Sequence, residues 1–171
     1  MTISQNAANA GTGGPYGVKV EWVGNTGCGT SAPDAYRPDH WIGSDMLAPV
    51  PGTADRGPGV SPYRYNPEQL LVASISSAHM LAYLDAAAEA GIVVTAYIDR
   101  ASAQMVDLDG HHEVQSILLT PQITLADGTN LEAAEALHTE AHIRSATAAT
   151  IQVSIGCEPV IGYGADLEAV A

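Results

Sequence analysis

The order of predicted elements makes this chain an α+β domain, and three features of the sequence predict it. Val18, Val20 and Trp22 alternate with Lys19 and Glu21, the period-two pattern of a half-buried strand. An apolar helix opens at Asn66-Pro67-Glu68, and a second helix follows only after two strand-like runs. A last strand-like run closes the order, so strands and helices are grouped rather than strictly alternating.

The first strand spans Tyr16 to Gly24, and Asn25-Thr26-Gly27-Cys28-Gly29-Thr30 is a turn. From Pro33 to Tyr65 the chain is rich in proline and glycine and reads as mainly loop, with a short strand near His40 to Met46. Asn66 caps the long helix, Pro67 suits its first position and Glu68 suits its first turn. The helix runs to Ala90 and stops at Gly91. It is apolar around most of its circumference, which predicts burial through the middle of the fold. Ile92 to Asp107 and Glu113 to Ala126 read as strands joined by an Asp109-Gly110 turn. Thr129-x-x-Glu132 is a capping-box pattern for a second helix from Asn130 to about Ala148. Thr150 to Glu158 is the last strand, burying Ile151, Val153 and Ile155.

A length of 171 residues fits a single domain over residues 15–171, preceded by a loose polar, glycine-rich tail over 1–14. That tail has neither the basic nor the apolar segment of a signal peptide. Asp85 and Glu89 interrupt the longest apolar stretch, Leu70 to Val94, so no membrane span is expected and the cytoplasm is the default location. Six Lys and Arg against 19 Asp and Glu give a formal charge of −13, which argues against nucleic acid and anionic membranes as partners. Two cysteines make no disulfide framework.

Several segments together carry a resemblance. Asn66-Pro67-Glu68-Gln69-Leu70-Leu71-Val72-Ala73, continuing into Ser76-Ser77-Ala78-His79-Met80-Leu81, resembles the central helix of the OsmC/Ohr family of thiol peroxidases. Trp22-Val23-Gly24-Asn25-Thr26-Gly27, Arg37-Pro38-Asp39-His40, Ala90-Gly91-Ile92-Val93-Val94-Thr95, Ala136-Leu137-His138 and Cys157-Glu158-Pro159 follow the family in the same order. The likeness extends from about Tyr16 to Val160. It implies antiparallel sheets around a long buried helix, in an intertwined homodimer whose site lies at the subunit interface. In that family a peroxidatic cysteine on the central helix attacks a peroxide oxygen, and a resolving cysteine on the second helix completes the disulfide. Here the two positions hold Ala78 and Ser145, so that chemistry is not available there. Ala82 stands where the family branch suggests Trp, and Ala146 and Thr147 where it suggests larger apolar residues.

The shrinkage predicts a pocket, lined by Ala78, Ala82, His142, Ser145 and Ala146, cleared for a small, fairly hydrophobic molecule. The alternative is that the core has repacked around the losses. Arg37 and Glu68 match the family's assisting Arg and Glu. With His79 they are the candidates for redox-neutral acid–base chemistry, Arg37 binding a developing oxyanion. Isomerisation, cyclisation, dehydration or lyase chemistry would fit, an organic hydroperoxide being one possible substrate. Glu68 and Ala78 are ten positions apart, roughly 15 Å along a helix, so Glu68 would serve a pocket across the dimer. Its structural alternative is dipole stabilisation of the first turn, and that of His79 is a satisfied core histidine. His138 and His142, four apart, share a helix face and with His79 could chelate a metal. The family branch needs none, so no metal or other cofactor is expected. A non-catalytic binding protein, and residual peroxide reduction through Cys28 or Cys157, are the rival readings.

Overall fold

The computed structural model describes residues 16–44, 47–145, 147 and 150–164. The expected tail over 1–14 and the pocket residue Ala146 lie outside them. The chain divides into two compact units at the Asn66–Pro67 junction.

The first unit is a three-stranded antiparallel sheet in the order β1-β2-β3, with β1 Lys19–Trp22, β2 His40–Ser44 and β3 Leu47–Gly52. β3 falls in the stretch predicted to be mainly loop. Pro49 and Pro51 hide it from a propensity reading, and both are tolerated because β3 is an edge strand. The prediction of a half-buried first strand is corrected as well: all four residues of β1 are exposed. The predicted glycine turn is as expected, with Asn25 Oδ1 accepting from the N–H groups of Gly27 and Gly29 at 2.9 and 3.0 Å.

The second unit carries both helices and two mixed sheets. Helix α1 runs Pro67–Glu89 and α2 runs Leu131–Arg144. α1 ends as predicted: Gly91 has φ 70°, Ile92 N–H donates to Ala87 O and Gly91 N–H to Ala88 O. The start of α2 differs in detail, since Asn130 rather than Thr129 is the cap and its side chain accepts from Ala133 N–H. α2 stops at Arg144, short of the predicted end, with Ser145 as its C-cap.

The runs predicted over Ile92 to Asp107 and Glu113 to Ala126 are each two strands, one in each sheet. The last predicted run is strand only over Ser154–Cys157, and a further strand outside the predicted runs follows it at Val160–Tyr163. β4 Val94–Asp99, β7 Pro121–Leu125 and β9 Val160–Tyr163 make one sheet in the order β4-β7-β9. β5 Ser102–Leu108, β6 His111–Leu119 and β8 Ser154–Cys157 make the other, in the order β5-β6-β8. The chain changes sheet at Arg100-Ala101, at Thr120 and at Glu158-Pro159. Asp99 Oδ1 accepts from Thr120 N–H at 2.8 Å, and Thr120 Oγ1 donates to Arg100 O at 3.0 Å, tying two changeovers together. β4·β7 and β5·β6 are antiparallel, as the family likeness implied, whereas β6·β8 and β7·β9 are parallel. Asp109 and Gly110, at φ 54° and 83°, make the predicted tight turn between β5 and β6.

α1 is less buried than its composition predicts. Ile75, His79, Tyr83, Ala86 and Ala87 form its one buried face, while Leu81 on the other side is 58% exposed. The helix is long and apolar enough to cross a membrane by composition. Its buried face nonetheless packs within the unit in two clusters. Ile75 packs with Ile117 and Leu119 of β6; Tyr83, Ala86 and Ala87 pack with Ile123 and Leu125 of β7 and Ala134, Leu137 and Ala141 of α2.

Candidate functional site

His79 lies between the two clusters, one turn after Ile75 and one turn before Tyr83. A helical spacing of four keeps these three residues on one face, so the imidazole points into the interior at 2% exposure. His138 comes from α2 by the same rule, between Ala134 and Ala141, at 8% exposure. Cys157 is the last residue of β8, two residues beyond Ile155 and on the same strand face. Three elements thus deliver three polar side chains to a seam between two apolar clusters.

His79 Nε2 and His138 Nδ1 are 3.1 Å apart, a hydrogen bond in which one ring nitrogen donates. Cys157 Sγ is 3.8 Å from His79 Nε2 and 3.7 Å from His138 Nδ1. Tyr83 stacks on His138 with ring centroids 4.4 Å apart, and its hydroxyl donates to Ala134 O at 3.1 Å. His138 Nε2 and the hydroxyl of Tyr97 are buried without a hydrogen-bond partner. Asp99 lies close by, held by Ser76 Oγ, which donates to Asp99 Oδ2 at 2.5 Å, and by Thr120 N–H.

Burial sets the protonation of this group. Desolvation, then repulsion from His79, lowers the pKa of His138 to about 4. Desolvation first, and then His142, lowers that of His79. Burial and then the Asp99 charge push the Cys157 thiol up to about 11. Burial pushes Tyr83 up to about 12. The seam at neutral pH is two neutral imidazoles and a thiol, and a thiol held protonated is a poor nucleophile towards peroxide.

The other predicted site residues are elsewhere. Ala78, Ala82 and Ser145 do come together, along a groove of about 530 Å³ between α1 and α2 that Leu81, Asp85 and Arg144 also line. Arg144 pairs there with Glu89 at 2.8 Å and Glu140 at 2.5 Å. His142 is exposed and does not line that groove, which corrects its place in the predicted pocket. It is also absent from the His79–His138 group, where Cys157 stands instead. Glu68 is half-buried, and its Oε2 is buried without a hydrogen-bond partner. Arg37 is exposed; its backbone is fixed, with N–H donating to Gly24 O and its own O accepting from Trp22 Nε1. Arg64 holds a guanidinium in the first unit, 3.6 Å from Asp39 and 5.0 Å above the Trp41 ring. Cys28 is exposed in its turn.

The family model of the OsmC-like proteins matches residues 58–158, more than half of the chain. The protein belongs to the OsmC-like family. An OsmC-like protein of unknown function from Vibrio cholerae is 23% identical, with a TM-score of 0.77 over 86% of this chain and 99% of that one. An OsmC-like protein from Mycoplasma pneumoniae is 13% identical, with a TM-score of 0.67 over 88% and 99%. An organic hydroperoxide resistance protein from Elizabethkingia anophelis is 16% identical, with a TM-score of 0.60 over 88% and 99%. These likenesses are of fold. No curated protein matches the chain in sequence.

Sequence reading missed Cys157 as a partner of the two histidines. The alternation Ile151, Val153, Ile155, Cys157 carried the signal, because it turns Cys157 to the same face as the apolar residues.

Proposed function

We propose that this OsmC-like protein binds a small, mainly apolar organic molecule in the groove lined by Ala78, Ala82 and Ser145, without thiol peroxidase chemistry. The observation that carries the reading is that these three small residues line one 530 Å³ groove, a volume within the range of small-molecule sites. The family background makes an organic hydroperoxide or a related stress product the first ligand class to test. The homodimer belongs to the same proposal, supported by the apolar face of α1 that this chain leaves exposed around Leu81. A single working domain over residues 15–171 and a cytoplasmic location complete it.

A second reading, redox-neutral acid–base turnover of that molecule, is favoured by the buried, unpartnered Glu68 Oε2. Glu68 would move the proton and Arg37 would bind the oxyanion. His79 fits less well than expected as the base, since it faces the core.

Native mass spectrometry of the purified protein tests the binding reading. The expected result is a non-covalent small molecule, or retention of an added alkyl hydroperoxide, that is lost in Ala82→Trp while the fold is kept. Binding that survives Ala82→Trp, or no binding of any hydroperoxide or carried ligand, overturns it. Carbonyl or isomerised product that disappears in Glu68→Gln would establish the second reading over the first.

A further inference from the structure

We propose that His79 Nε2, His138 Nδ1 and Cys157 Sγ form a binding site for one divalent cation of the Zn²⁺ class. This site is separate from the α1–α2 groove and does not depend on what the groove binds. The three donor atoms lie within 4.8 Å of one another. A tetrahedral Zn²⁺ with nitrogen ligands at about 2.0–2.1 Å and sulfur at about 2.3 Å needs N···N edges near 3.4 Å and N···S edges near 3.6 Å. The observed edges are 3.1, 3.7 and 3.8 Å, so a cation fits the triangle with displacements of a few tenths of an ångström.

The alternative is three neutral groups satisfying one another, and the inventory of donors makes that a poor arrangement. One thiol proton can serve only one of the two imidazoles, and both sulfur contacts are long. His138 Nε2 stays buried and unpartnered whichever tautomer is present. A metal–nitrogen bond at Nδ1 is far stronger than the hydrogen bond it replaces and offsets that cost. Coordination forms a metal–sulfur bond and releases the thiol proton to solvent, with no change of oxidation state. The thiolate and the nearby Asp99 carboxylate then balance the two positive charges. Asp99 is occupied by Ser76 and Thr120, so it acts as a neighbouring charge and not as a ligand.

The donor set selects among metals. Two imidazoles and one thiolate suit Zn²⁺ and are foreign to Mg²⁺ or Ca²⁺, which take oxygen ligands. Three protein ligands leave a fourth position for water or another small ligand. Tyr97, whose buried hydroxyl has no partner, packs against the adjoining apolar cluster of Tyr83, Ile123 and Leu137.

The full-length protein, stripped with a chelator, is titrated with Zn²⁺ and with Co²⁺, whose thiolate complexes show an intense near-ultraviolet charge-transfer band. The expected result is one metal per chain and a cobalt–thiolate band that Cys28→Ser leaves unchanged. As the chain has only two cysteines, that variant assigns the band to Cys157 without disturbing the core. Cys157→Ser should abolish the band and weaken Zn²⁺ binding by more than about 100-fold, beyond the usual effect of losing an outer-shell partner. His142→Ala should change neither. Absence of stoichiometric binding, binding without a thiolate band, or a band lost in Cys28→Ser overturns the proposal.

Discussion

Burial lowers the pKa of both imidazoles of the seam, and for His138 the shift is large. In the metal-free protein His138 has a pKa of about 4, against about 6.5 when unfolded. Between those values the unfolded chain binds more protons. Stability from this source is therefore complete above about pH 6.5 and falls as pH drops through 4. Urea unfolding of chelator-treated protein should show about 2–3 kcal/mol lost across that window through this group. His138→Gln should flatten the slope, and an equally steep slope in that variant would show that other groups cause it. Gly24 offers a second residue-scale test in the first unit. A Cβ there would lie 1.8 Å from Arg37 O, and that contact is backbone, so Gly24→Ala must move the chain. A loss of about 1–3 kcal/mol is expected, read as a lowered melting temperature, and an unchanged value would refute it.

At the scale of elements, the parts read well from sequence were those written in local chemistry. Gly91 stops α1 because its φ of 70° suits glycine, and Asn130 starts α2 with its own side chain. Gly91→Ala should cost about 1 kcal/mol and Asn130→Ala about 1 kcal/mol, each measured by denaturant midpoint. Exchange of Thr129→Ala should cost less than Asn130→Ala if the cap is as observed. The sheet changeovers were not legible, because the period of alternation is the same whichever sheet a strand joins. A run such as Glu113 to Ala126 therefore reads as one strand although Thr120 divides it. β3 was hidden by its prolines, which are excluded only from interior strands. Of the site, the groove residues Ala78, Ala82 and Ser145 were visible through family resemblance. The Cys157–His79 contact was not, since the two are 78 positions apart and nothing local links them.

Across the molecule the two units differ in how much core they own. Every buried hydrophobic side chain among the described residues, from Ile75 to Ala141, belongs to the second unit. Among its described residues the first unit buries Asp39 and Thr53 but no large apolar side chain. A segment without its own core cannot offset the entropy of ordering its backbone. The isolated fragment 1–66 should accordingly be unfolded by circular dichroism, whereas a cooperative melt of that fragment would contradict the assignment of core to the second unit.

Residues 154–163 supply β8 to one sheet and β9 to the other, each by parallel pairing with a strand far earlier in the chain. This short ribbon acts as a double latch. If it detaches, β6 and β7 lose their outer neighbours together and two unpaired edges become available to other chains in a single opening event. Its amides should therefore exchange with solvent as one cooperative unit, and any condition that loosens Cys157 should also promote self-association.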